Sequence, residues 1–282
     1  MGRKKSFLLI GGVVVLLVIF LGIMLITNEN KDKFKDDYEE IEKNIVDNLL
    51  YLSSGYNTDY FGTEKLFESS NLKFKNLKDE NLLATAVNIY NMEIEDVNEE
   101  INVDSEKLSN YETYILVKGS IIKDYIKKIF NIDWEHKSVK SSVDFIYNFD
   151  YDKDSDAYII YPSEAYKDYE DKLDDFKSSI VIEPISSTST KNTVKTTIIV
   201  AYSTYTENDD KTVNIKYYKD KEQKNFVFEI NSNDLYTVDE NNNIVKNENV
   251  DTLKKHSDDF KKYVVTSTKN DDGFALSKIK KK

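Results

Sequence analysis

Residues 193–206 read TVKTTIIVAYSTYT, and every position except Lys195, Ala201 and Ser203 is β-branched or aromatic. Side chains of that kind lose little on an extended backbone and pack well on a pleated surface, so the stretch is predicted to be a long strand. Residues 179–188, 212–219 and 225–230 share its composition, and 207–211 (ENDDK) supplies a hairpin connection. The two-residue period begins at Val143, with 143–151 and 157–161 as a hairpin around 152–156. A last hairpin, 263–268 with 274–279, turns through Asn270-Asp271-Asp272-Gly273, after a loop-rich passage at 231–260.

Upstream of Val143 the spacing is helical. Phe34, Tyr38, Ile41, Ile45, Leu49 and Leu52 recur at three- and four-residue steps and predict an amphipathic helix. Residues 56–77 read as irregular chain with one helical turn near 64–67. A second helix is expected over 79–91, capped by Asp79, followed by an acidic linker at 93–106 and a short strand at 113–118. A third takes Ser120 as N-cap, carries the stripe Ile121, Ile122, Tyr125, Ile126, Ile129 and Phe130, and stops at Asn131. A fourth is expected over 162–178. Helices first and strands last is the order of an α+β domain, helices packed against an antiparallel β-meander.

The N-terminus sets the compartment. Residues 7–27, FLLIGGVVVLLVIFLGIMLIT, contain no charge and as a helix would reach about 31 Å, enough for a hydrocarbon core of roughly 30 Å. We read 1–6 as a cytoplasmic head, 7–27 as a transmembrane signal-anchor, 28–131 as a helical juxtamembrane part and 132–282 as a β-rich extracytoplasmic domain. The run ends Met24-Leu25-Ile26-Thr27-Asn28, without the small residues of a cleavage site. Met1-Gly2-Arg3-Lys4-Lys5-Ser6 matches an acylation pattern that adds nothing beside a full span.

With no cysteine, disulfides, thiolate metal sites, thiol nucleophiles and lipoprotein anchoring are all excluded. Two prolines, eight glycines and abundant Lys, Asn, Ile and Tyr point to AT-rich coding and a bacterial source. The formal net charge is −12; setting aside the +3 of Arg3, Lys4 and Lys5 leaves −15 for the rest, a field that repels phosphate backbones and anionic lipid headgroups. Nucleic acid is therefore not expected as a partner. Lys278, Lys280, Lys281 and Lys282 are read as a solvated basic tail able to touch an anionic surface.

Asp150, Asp152, Asp154 and Asp156 alternate through FDYDKDSDAY and are the candidate metal ligands, because a hard cation such as Ca2+ needs several converging carboxylates. The sharp-turn glycine and the bidentate glutamate of a calcium loop are replaced by Ser155 and Tyr161, so a charged hairpin tip accounts for the same residues. Ser120-Ile121-Ile122-Lys123 has the Ser-x-x-Lys spacing of acyl-transfer enzymes, but no Lys-Thr-Gly accompanies it. His136 and His256 share no ligand spacing and are expected at the surface. Twenty tyrosines are assigned mainly to packing, with 193–218 the place to look for an exposed aromatic row.

From about residue 132 the arrangement is similar in outline to cystatin-like and nuclear-transport-factor-like curved sheets, which recur in single-pass envelope proteins. That resemblance rests on the order of elements and on no motif. The function expected is a non-enzymatic, membrane-tethered binding or scaffolding module of the bacterial envelope with a protein partner and no cofactor. A ligand- or calcium-responsive sensor and a carboxylate enzyme acting on the envelope are the alternatives.

Overall fold

The computed structural model describes residues 34–53, 66–67, 70–93, 101–141, 145–166, 179–209, 212–238, 244–246 and 252–282. The span expected at 7–27 lies outside them; among the described residues no helix is long and apolar enough to cross a membrane. The fold is α+β, with one large antiparallel sheet and few helices.

In chain order the elements are α1 (Tyr38–Ser53), β1 (Asn71–Lys73), α2 (Asp79–Glu93), α3 (Ser105–Leu108), β2 (Ile115–Lys118), α4 (Gly119–Phe130), β3 (Tyr147–Asp152) and β4 (Ala157–Pro162). There follow β5 (Ser179–Ser189), β6 (Thr193–Glu207), β7 (Val213–Tyr218), β8 (Phe226–Asn231), β9 (Tyr236–Val238), β10 (Ile244–Lys246), β11 (Lys261–Asn270) and β12 (Gly273–Lys281).

β6 organises the large sheet. One edge pairs with β5 from Val194 to Ser203. The other edge is shared: β11 takes Thr193 to Val200 and β7 takes Tyr202 to Glu207. Strands then extend outward as β11-β12-β1 and β7-β8. The expected meander is therefore only half of the sheet. The C-terminal hairpin returns to the first half of β6, so that strand carries partners from both directions of the chain.

The alternation in TVKTTIIVAYSTYT builds two cores. Val194, Thr196, Ile198 and Val200 are buried, and the three aliphatics among them join the main core with Tyr263, Val265 and Ile279. Helix residues Ile45, Leu49, Leu83, Ile122 and Ile126, each at most 1% exposed, complete that core. Ile199 and Ala201 face the other way, into a smaller core with Phe228, Ile230, Leu253 and Phe260. Each such aliphatic taken fully out of water contributes roughly 1.5–3 kcal/mol, which is why β6 reads as a continuous apolar run at its middle.

Several details differ from the sequence reading. β1 was expected as irregular chain; three residues without usable period form a strand because β12 offers them a ladder. β9 and β10 pair inside the passage expected to be loop. The lysine-rich C-terminus is no free tail: residues up to Lys281 belong to β12. Only the start of the helix expected over 162–178 lies in the described residues, as a turn at 164–166. β2, β4 and β3 form a separate three-stranded sheet in that order.

Candidate functional site

The aspartate run sits on the β3–β4 hairpin, and its carboxylates point to different jobs. Asp150 and Asp152 lie two residues apart and so share a face of β3. Asp150 accepts a hydrogen bond from Tyr111 Oη at 2.7 Å. Lys107 Nζ, on the single turn α3, reaches Asp152 at 2.6 Å and Asp154 at 3.2 Å, and Ser155 Oγ donates to Asp152 at 2.7 Å. These contacts clamp the segment around α3 onto the small sheet. The hydrogen bond from Lys107 holds the Asp152 carboxyl below its usual range, and the same pairing raises the Lys107 ammonium. Burial first, then the bond to Asp150, raises the Tyr111 phenol.

Asp156 turns the other way and caps α4. Its Oδ2 accepts from Ser120 N at 3.2 Å and its carbonyl oxygen accepts from Gly119 N at 2.7 Å. Ser120 is thus the capped residue and not the N-cap; the helix begins one residue earlier, at Gly119. A carboxylate at a helix N-terminus is favoured by both the orphan N–H groups and the dipole. Tyr151 Oη donates to Asp156 Oδ1 at 2.8 Å, and burial followed by that bond pushes the phenol up to about 12. Among the described residues no three acidic or histidine side chains converge as metal ligands. The four aspartates are drawn to Lys107, Tyr111, Tyr151 and a helix end instead.

Behind Tyr151 lies an aromatic layer. Trp134 Nε1 donates to the Tyr158 oxygen at 2.8 Å, and both residues are buried. His136, expected at the surface, stacks on Tyr151 with centroids 4.6 Å apart and planes 14° from parallel. His256 likewise stacks on Phe228, at 4.3 Å and 13°. Aromatic neighbours drew both rings inward from charged stretches whose composition suggested solvent. The aromatic row sought at 193–218 reduces to Tyr205, 57% exposed, with Phe226 at 54% on β8.

Among the described residues, a concavity that can hold a ligand lies elsewhere. A groove of about 530 Å³ opens between α1, α2, α4 and the β11–β12 turn. Its floor is apolar, formed by Ile41, Ile89, Ile129 and Phe274. Its walls are acidic: Asp37, Glu40, Asp47 and Asp272 line it against one cation, Lys128, which lies 5.4 Å from the centroid of the Tyr125 ring. α1 explains the arrangement. Ile41, Ile45 and Leu49 face the core, while Asp37, Glu40, Asn44 and Asp47 fall at three- and four-residue steps on the adjoining stripe. That acidic stripe was visible in the sequence, but the walls from α4 and the distant turn were not. Comparison with known proteins finds no matching family model, no matching curated relative and no matching solved structure.

Proposed function

We propose that this chain is a single-pass, membrane-anchored extracytoplasmic binding or scaffolding module of the bacterial envelope, and that its acidic groove receives a positively charged segment of a partner protein. The observation that carries this reading is the groove itself: an apolar floor rimmed by four carboxylates and one lysine. Such a lining complements a segment with one or two apolar side chains seated between Lys or Arg residues. The carboxylates would steer its approach, and the floor would bury its apolar groups.

The uncharged run at 7–27 supports the anchor. The likeness of the β-rich part to cystatin-like curved sheets belongs to the same proposal. No catalytic role is assigned. The residues first considered as ligands at 150–156 are engaged by side chains of this chain, which favours a binding module over a calcium sensor.

The test is fluorescence anisotropy of the full chain in detergent with labelled peptides alternating Lys and Leu, against peptides alternating Glu and Leu. Binding of the first set alone, weakened by salt and lost in Asp37→Asn/Glu40→Gln/Asp47→Asn, is expected. Equal binding of both sets, or affinity untouched by those substitutions, would remove the groove from the proposal.

A further inference from the structure

The face of the large sheet turned away from the helices carries lysines that form no ion pair among the described residues. Register defines one row across five strands: Lys73 opposite Lys278, Lys278 opposite Thr266, Thr266 opposite Lys195, and Lys195 opposite Thr188. Residues opposite one another point to the same face, with neighbouring strands about 4.8 Å apart. Lys73 and Lys278 therefore stand side by side, and Lys195 lies two strands away. The next row places Lys280 between Asn71 and Val264. The alternate positions Val265, Thr196 and Ile279 are fully buried on the opposite side, which fixes the lysine face as the outer one.

Lys73, Lys195 and Lys280 are exposed and Lys278 is half-buried. The rows just given contain no carboxylate; Glu183 and Asp258, toward the second core, are taken by Lys254 and Lys262. Like charges directly opposite on a sheet are destabilising. A chain of net charge −12 has acids enough to neutralise four lysines, yet this face keeps them together with Thr, Ser and Asn.

We propose that this face docks on anionic lipid headgroups of the bilayer in which the chain is anchored. The inference rests on the anchor of the preceding reading. Residues 28–33 separate the apolar run from Phe34, a reach of at most about 21 Å at roughly 3.5 Å per residue. Phe34 N donates to Ser189 Oγ at 3.3 Å; Ser189 pairs with Val194 on the helix-bearing side of the sheet, one residue from Thr188 of the lysine row on the other side. The chain thus leaves the folded body on the helix side of the β5 edge, and the length of residues 28–33 is enough to carry it round that edge toward the cationic face. Polybasic surfaces held near a bilayer gain from every lysine brought within a Debye length of anionic lipid.

The experiment is amine-reactive labelling, read lysine by lysine by mass spectrometry, of the full chain in phosphatidylglycerol-containing and in purely zwitterionic vesicles. Lys123 and Lys216, on other surfaces, serve as references. Labelling of Lys73, Lys195, Lys278 and Lys280 is expected to fall several-fold in the anionic vesicles alone, to recover in high salt, and to leave the reference lysines unchanged. Equal labelling in both lipids overturns the proposal. Protection by soluble polyphosphate but not by vesicles also overturns it, and assigns the face to an anionic polymer. Alkaline extraction of the same preparations scores the anchor separately: release of the chain would defeat the anchor, while the lipid contrast would still judge the face.

Discussion

Gly119 and Asp156 meet so closely that a Cβ on the glycine would collide with the Asp156 carboxylate and lie 2.9 Å from the Tyr151 ring. The aspartate itself sits at φ +48°, a left-handed conformation that Asp and Asn tolerate better than most residues. One turn of the β3–β4 hairpin is thereby locked to the first turn of α4. Gly119→Ala should cost about 1–2 kcal/mol, because the carboxylate must leave Ser120 N and Tyr151. Urea melts of Gly119→Ala, Asp156→Gly and the double variant should be strongly non-additive, the alanine being nearly harmless once the carboxylate is gone. Additive losses would mean that the contact does not couple hairpin to helix.

Tyr158→Phe removes the acceptor of the Trp134 indole and leaves a buried N–H unsatisfied. A loss of about 1–3 kcal/mol is expected. Trp134 is the only tryptophan, so its fluorescence reports the unfolding transition and should change in the folded state as well. A variant as stable as the native chain with an unchanged spectrum would contradict the bond.

His136 has its pKa lowered from 6.5, by burial first and then by Lys123, with Asp156 opposing. Tyr151 and Tyr158 also face the ring. In the unfolded chain the imidazole takes up its proton at a higher pH than in the fold. Its contribution is therefore fully present above pH 6.5 and is lost as pH falls through the lower folded value. Melting temperature should drop between neutral pH and pH about 5, and His136→Phe should flatten part of that drop. An unaltered pH profile in the variant would assign the dependence to other groups.

Calcium at millimolar concentration is expected to leave the melting temperature of the native chain unchanged, since Lys107 and Tyr111 already engage Asp150, Asp152 and Asp154. Lys107→Ala should barely move the urea midpoint, as exposed ion pairs do, while increasing amide exchange in residues 104–111. A rise of several degrees on adding calcium to the native chain would restore the metal reading of the aspartates.

Local patterns announced most strands and the three long helices, because each buries one side and so writes its period into the chain. The run at 193–206 became β6, and the stripe from Ile121 to Phe130 became α4, ending at Asn131 as expected; the structure adds that Asn131 is left-handed. What stayed hidden depends on chain-distant partners. Nothing near Ser120 reveals that Asp156 caps its helix from 36 residues away. Nothing within 71–73 reveals the ladder with 278–280. The groove combines a legible acidic stripe on α1 with a turn over 200 residues later, and the lysine face exists only once four registers are known. The aspartates drew notice by their spacing, but spacing could not say that Lys107 would take two of them, Tyr111 a third, and Tyr151 with a helix end the fourth.

The most direct measurement places a photoreactive amino acid at Asn44, inside the groove, and maps its crosslinks in intact cells of the source organism by mass spectrometry. The crosslinked peptide should come from one protein, carry Lys or Arg on both sides of the reacted residue, and vanish when Asp37, Glu40 and Asp47 are neutralised. Crosslinks that survive neutralisation, or that fall on segments without basic residues, would contradict the groove as a binding site for a cationic partner.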